Sequence, residues 1–257
     1  GALKLARQYH KLRGHKDRSK FIAMRQGYHG VQFGGMSVNG NTNFRRAFEP
    51  LLPGCFHVDT PWLYRNPYTE DPVRLGEICA ELLEREIVFQ GPDTVAAFIA
   101  EPVQGAGGVI VPPPDYFPRI REICTKYDVL LISDDVITGF GRTGRWFGLE
   151  HYGIEPDIMQ FAKGITSGYI PLGGIGVSDR VRDVMNGVPA GKRWMHAFTY
   201  SGHPVACAVA VANIDILRRE KVIERVREEL AGYFAARLRT LAEHPLVGEV
   251  RAVGLLG

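Results

Sequence analysis

Lys163 follows the apolar run Asp157-Ile-Met-Gln-Phe-Ala162, and Asp134 closes the earlier apolar run Val129-Leu-Leu-Ile-Ser133. A lysine and an aspartate at the ends of two buried strands suit pyridoxal phosphate chemistry. The amine can hold an aldehyde as an imine, and the carboxylate can keep a pyridine nitrogen protonated so that the ring withdraws electrons. Taken alone, Lys163 reads as a solvated surface charge, the usual fate of a lysine. The weight therefore rests on its surroundings.

Other chemistries find less support. Gly139-Phe-Gly141-Arg-Thr-Gly144 matches the glycine spacing of a dinucleotide loop, but Asp134 to Thr138 separate it from the strand and no helix pattern opens after it. The nearest acids, Glu155 and Asp157, precede the next strand instead of ending it. A strand ending in Asp134-Asp135 resembles the magnesium-binding acid of P-loop NTPases, yet Gly191-Lys192-Arg193 lacks the required spacing and hydroxyl residue. The eight histidines show no metal-ligand spacing with acids or cysteines, so no metal is expected, and no Gly-x-Ser-x-Gly elbow occurs.

These side chains need a scaffold, and periodicity predicts one. A helix over 1–12 leads to a strand at 21–24, a glycine-rich turn and an irregular stretch from Gly34 to about Asn66. A helix follows over 71–86, with Asp71 as N-cap and Pro72 at its first position. Then come a strand at 95–101, a helix at 116–126, and strands at 129–133, 158–162 and 174–177. Helices at about 203–218 and 220–241 close the series. Strands such as Val129-Leu-Leu-Ile132 are apolar throughout, as expected when helices cover both faces of a mostly parallel sheet. The class is α/β, and Glu101, Asp134 and Lys163 fall at the carboxyl ends of strands, where ligands gather in such sheets.

Composition bounds the partners. The chain has 257 residues, 45% hydrophobic and 23% charged, with a net charge of +3. The basic stretch Arg13 to Arg25 reads as a solvated face, and no nucleic-acid motif accompanies it. Cys55, Cys79, Cys124 and Cys207 are widely spaced, which predicts reduced thiols and a cytoplasmic setting. No apolar stretch approaches the roughly 20 residues needed to cross a bilayer. Both ends are abrupt: a helix pattern begins without a cap, and Val250-Arg-Ala-Val-Gly-Leu-Leu-Gly257 reads as an unfinished strand, so a piece of a longer protein is expected.

Three segments carry a resemblance: Leu131-Ile-Ser-Asp-Asp-Val-Ile-Thr-Gly-Phe-Gly-Arg-Thr-Gly144, Phe161-Ala-Lys-Gly-Ile-Thr-Ser-Gly-Tyr-Ile-Pro-Leu-Gly-Gly174 and His196-Ala-Phe-Thr-Tyr-Ser-Gly-His-Pro204. In this order and at these separations they resemble class III aminotransferases, pyridoxal phosphate enzymes of fold type I, and the resemblance covers essentially the whole chain. It implies a cofactor-binding large domain over 1–218 and the start of a small α/β domain over 219–257. It implies that Lys163 holds the cofactor covalently and later moves a proton between substrate carbon and cofactor. It further implies that Asp134 pairs with the ring nitrogen, that Val136 packs on one ring face, and that Tyr28, in Gly27-Tyr-His-Gly30, stacks on the other. His29 of that segment joins the cofactor-binding set. Thr199 resembles the family threonine that reaches the cofactor phosphate from a neighbouring subunit, which implies a homodimer with shared active sites.

Bland readings stand beside these: a turn aromatic for Tyr28, a strand hydroxyl for Thr199, and for Glu101 a supporting or purely structural role. The family usually has glutamate where this chain has Asp135, which bears on a supporting ion pair. The family's phosphate-binding loop is expected before residue 1 and its substrate-carboxylate arginine beyond residue 257, so the active site expected of this stretch is incomplete. Members acting on ornithine or γ-aminobutyrate tend to carry an acid where this chain has Ala106, in Gly105-Ala-Gly-Gly108. That resembles the ω-amino acid or amine:pyruvate branch, with ping-pong transfer from a primary amine to pyruvate or another 2-oxo acid. An aminomutase or decarboxylase on the same scaffold, and a non-catalytic dimerising chain, are the alternatives.

Overall fold

All six residues of Val95–Ala100 are buried. A strand that is apolar on both faces must be covered on both, and this one lies inside a sheet. The computed structural model describes residues 1–257. Its strands are β1 (Lys20–Met24), β2 (Cys55–Val58), β3 (Val95–Ala100), β4 (Leu130–Asp134), β5 (Ile158–Phe161) and β6 (Gly174–Val177). They form one sheet in the order β2-β1-β3-β4-β5-β6, parallel except for β6, which runs antiparallel to β5.

The α-helices are α1 (Ala2–Leu12), α2 (Phe33–Val38), α3 (Pro72–Gln90), α4 (Tyr116–Lys126), α5 (Asp179–Asn186), α6 (Pro204–Arg219), α7 (Val222–Arg225) and α8 (Ala231–Arg239). None is long and apolar enough to cross a membrane. Side chains alternate along β3 between two cores. Phe98 joins Leu83 and Ile87 of α3 and Ile120 of α4 on one face. Ala97 and Ile99 join Leu5, Ala6 and Tyr9 of α1 on the other. The expected α/β layering is therefore present, with helices on both sides of a mostly parallel sheet.

Local chemistry sets the helix ends. The Asp71 carboxylate accepts from the Val73 and Arg74 N–H groups at 2.9 and 3.4 Å, and Pro72 occupies the first helical position. Such a cap contributes about 1 kcal/mol. The helix runs past the expected Glu86 to Gln90, because Ile87 is still buried against the core, and stops at Gly91 with φ +86°.

Four expectations need correction. The stretch from 34 to 66 is not wholly irregular: it contains α2 and β2, the latter paired in parallel with β1 as an edge strand. The helix α5 was not expected. The helix expected over 220–241 is interrupted, with a wider π-type turn at Val226–Leu230 between α7 and α8. Residues 250–257 do not form a strand. Gly254, at φ +57°, turns the chain so that Val253 and Leu256 make one isolated bridge, and Leu255 N–H donates to the Arg142 carbonyl at 2.9 Å.

Candidate active site at the carboxyl edge of the sheet

Adjacent parallel strands deliver side chains to one edge. The β4–β5 register sets Asp134 beside Gln160, and Lys163 follows just past the end of β5. The chain leaving β1 brings Tyr28 and His29 to the same edge. The chain leaving β3 brings Glu101.

Asp134 is 3% exposed at its side chain and is held by three donors. Its Oδ2 accepts from His29 Nδ1 at 2.7 Å and from Gln160 Nε2 at 2.5 Å, and its Oδ1 accepts from the Val136 N–H at 3.2 Å. A carboxylate offers about four lone-pair positions, so Oδ1 keeps room for one further N–H. His29 is fixed in turn: its own N–H donates to Asn39 Oδ1 at 2.5 Å, and Asn39 Nδ2 donates to the Gly30 carbonyl at 3.0 Å.

Glu101 braces the same loop. Its buried carboxylate accepts from the Tyr28 N–H and the Gly105 N–H, each at 2.9 Å. Burial pushes its pKa up, while His29 and these two N–H groups pull it back. Glu101 thus ties the chain leaving β1 to the loop after β3.

Asp135 points elsewhere. Ser133 Oγ, Thr138 Oγ1 and the Gly148 N–H donate to it at 2.5, 2.7 and 2.6 Å, and no ion pair reaches it. In keeping with the expectation that the shorter acid bears on a supporting ion pair, Asp135 is held instead in a hydrogen-bonded cage that ties the end of β4 to the loop after it. Burial raises the pKa of this carboxyl, and the three donors oppose the rise.

Lys163 is exposed, has φ +43°, and its amine has no hydrogen-bond partner in the chain. It stands between two cavities. One, of about 650 Å³, is walled by Val136, Phe140, Lys163, Val222, Val226 and Leu255 among others. The other, of about 530 Å³, includes Thr166, Ile170 and Leu172. Val136 therefore joins the two groups, bonded to Asp134 through its N–H and lining the cavity with Lys163.

Asp134, His29 and Val136 are thus in direct contact, and Lys163 shares a cavity wall with Val136. Tyr28, next to His29 in the chain, is half-buried, with its ring edge-to-face on Phe44 at 5.1 Å. Thr199 is apart from this group. It lies exposed in a turn, not in a strand, between exposed Phe198 and Tyr200. Sequence reasoning missed Gln160 and Asn39. The only signal for Gln160 was one amide inside an apolar run, and the parallel register was needed to set it beside Asp134. No group of three or more metal-ligating side chains occurs.

A buried carboxylate with a free acceptor position and an unpaired amine just past the end of the neighbouring strand fit a pyridine-aldehyde cofactor. Comparison with known proteins agrees. The family model described as aminotransferase class-III matches residues 1–257. The chain is 49% identical over 254 residues to a putrescine–pyruvate aminotransferase of Pseudomonas aeruginosa, covering 99% of this chain and 55% of that protein. Among solved structures, it resembles an amine transaminase from an uncultivated Pseudomonas species in its PLP-bound form, with TM-score 0.95 and 48% identity over 98% of this chain and 57% of that one. It also resembles an (S)-enantioselective omega-transaminase from Thermomicrobium roseum, with TM-score 0.94 and 47% identity over 99% of this chain and 56% of that one. The chain thus spans about half the length of the relatives it matches.

Proposed function

From the premise that this chain belongs to the class-III aminotransferase family, we propose that the protein carrying it moves an amino group from an ω-amino acid or primary amine to pyruvate or another 2-oxo acid. The observation that carries this reading is the unpaired amine of Lys163 one strand away from the buried, triply held carboxylate of Asp134. The donor and acceptor classes take support from a relative named for putrescine and pyruvate and from Ala106, which puts no acid after Glu101-Pro-Val-Gln104. A cytoplasmic setting agrees with four free cysteines.

Bound pyridoxal phosphate supplies an aldehyde that captures amines and a protonated ring that draws electrons from the carbon next to the captured nitrogen. In our reading, Asp134 Oδ1 would accept from the ring nitrogen, and His29 and Gln160 hold the carboxylate in orientation by donating to Oδ2. Val136 and Tyr28 would cover the two ring faces and exclude water from them. Lys163 Nζ would hold the cofactor through its aldehyde carbon. Displaced by a substrate amine, Nζ would accept the proton from the substrate carbon and move it between that carbon and the cofactor. The same amine serves both halves of a ping-pong cycle. Thr199, exposed in its turn, would donate a hydrogen bond from its hydroxyl to the phosphate held by a second copy, which makes the working unit a homodimer in this reading. The division into a cofactor-binding unit over 1–218 and a smaller unit from 219 belongs to the same proposal.

Borohydride reduction of the full-length protein loaded with pyridoxal phosphate, followed by peptide mapping, tests this. Selective labelling of Lys163, with amine-dependent alanine formation from pyruvate, is the expected result. Labelling spread over surface lysines overturns the site, and a panel in which only ornithine or α-amino acids react overturns the substrate class.

A further inference from the structure

We propose that Asn213 is the positioning residue that holds Lys163 in its working backbone conformation; the proposal rests on the reading of Lys163 given above. Lys163 has φ +43°, and Ser167, four residues on, has φ +49°. Left-handed backbone is unfavourable for any residue with a Cβ, and it persists only where the surroundings hold it. The short 3₁₀ turn Lys163–Thr166 lies between these two residues. Its conformation therefore needs an external clamp.

Asn213, half-buried on α6, supplies one. Its Nδ2 donates to the Gly164 and Ile165 carbonyls at 3.0 Å each, and its Oδ1 accepts from Ser167 Oγ at 2.7 Å. Both amide protons and one oxygen lone pair of a single side chain are thus given to the turn that begins with Lys163. On its other side, Gly164 is closely approached by Phe140: a Cβ added there would lie 3.0 Å from the Phe140 Cβ. The turn is held between Phe140 and α6 and has little freedom to relax.

The clamp also joins two parts of the cavity. The helix that carries Asn213 ends at Arg219, the chain reverses at Lys221 with φ +49°, and Val222 and Val226 then wall the same cavity as Lys163.

The test uses the full-length protein. Borohydride trapping at Lys163 is followed in time at limiting pyridoxal phosphate, together with the pH at which the visible band of the bound cofactor changes. Asn213→Ala is expected to slow capture about tenfold, the equivalent of about one lost hydrogen bond, and to move the spectral transition. Asn213→Asp keeps the acceptor for Ser167 but loses both donors, and is expected to fail to the same degree. Asn66→Ala is the control. Asn66 makes a comparable set of loop hydrogen bonds, to Leu63, Tyr68 and Thr69 and none to the lysine turn, and its loss should lower stability without changing capture or the spectrum. Should Asn213→Ala not fold, Ser167→Ala removes one of the three contacts and is expected to slow capture about threefold. A parent protein that labels Lys163 normally, with variants that capture at the parent rate and an unmoved spectrum, overturns the role of Asn213 alone. A parent protein that does not label Lys163 overturns the reading of Lys163, and this proposal with it.

Discussion

His29 Nδ1 lies 2.7 Å from Asp134 Oδ2, with 1% and 3% of the two side chains exposed. A contact this dry is worth more than a surface ion pair, because neither group has water as a substitute partner. Removing the imidazole leaves Asp134 with Gln160 and the Val136 N–H, and opens a hole beside the carboxylate. His29→Ala is expected to weaken pyridoxal phosphate binding by about ten- to hundredfold, the range for a lost hydrogen bond to a charged group. A cofactor titration followed by tryptophan fluorescence measures it. Parent affinity in His29→Ala would show that Gln160 and Val136 alone suffice to hold Asp134.

The cage around Asp135 predicts a loss of stability, not of cofactor. Asp135→Ala strands two hydroxyls, of Ser133 and Thr138, and the Gly148 N–H in the interior. The cost is expected to be about 3 kcal/mol, read as a lower denaturant midpoint. Asp135→Asn keeps an acceptor and should lose less than half of that. If both variants unfold at the same midpoint, hydrogen bonding is not what the carboxylate contributes.

How much of this was legible in the sequence depends on how local each signal is. Strands β3 and β4 declare themselves because helices cover both faces, so that all of Val95–Ala100 and the first three residues of β4 are apolar. The cap at Asp71 is equally local. Strand β2, Cys55-Phe-His-Val58, sits at the sheet edge, is only partly buried and is broken by His57, so nothing in its own residues separates it from loop. Helix α5 is charged, has Val181 as its one fully buried residue, and is laced by Arg182 pairing with Asp179 and Asp183. In the site, Asp134 and Lys163 were visible as the residues that end apolar runs. Gln160, Asn39 and Asn213 were not, because an amide has meaning only once the fold sets it against a carboxylate or a carbonyl distant in sequence.

His10 predicts a pH dependence. Its Nε2 bonds to the Ala96 carbonyl at 2.9 Å, its Nδ1 is buried without a partner, and burial pushes its pKa down to about 4, with the Ala96 bond opposing and Arg18 adding to the fall. The unfolded chain binds the proton near pH 6.5. Between these values the unfolded state holds more protons than the folded one, so stability rises with pH there. The contribution is complete above about pH 6.5 and is lost as pH falls toward 4, amounting to about 3 kcal/mol. His10→Gln should flatten the stability profile across that window. An equal slope in parent and variant would assign the acid sensitivity to other groups.

Asp157 joins three elements and allows charge and hydrogen bonding to be separated. Its Oδ2 accepts from the Leu131 N–H of β4 at 2.8 Å and from Arg121 of α4 at 2.9 Å, and its Oδ1 accepts from Arg180 of α5 at 3.3 Å. The arginines are partly exposed, so their share is screened by salt, whereas the bond to the strand N–H is buried and is not. Asp157→Ala is expected to cost about 2–3 kcal/mol. Asp157→Asn, which keeps an acceptor for Leu131 and loses the charge, should cost about 1 kcal/mol at low salt and almost nothing at high salt. Denaturant midpoints of both variants at two salt concentrations decide the matter. If the two variants lose equal stability at high salt, the Leu131 bond contributes nothing and Asp157 acts through its charge alone.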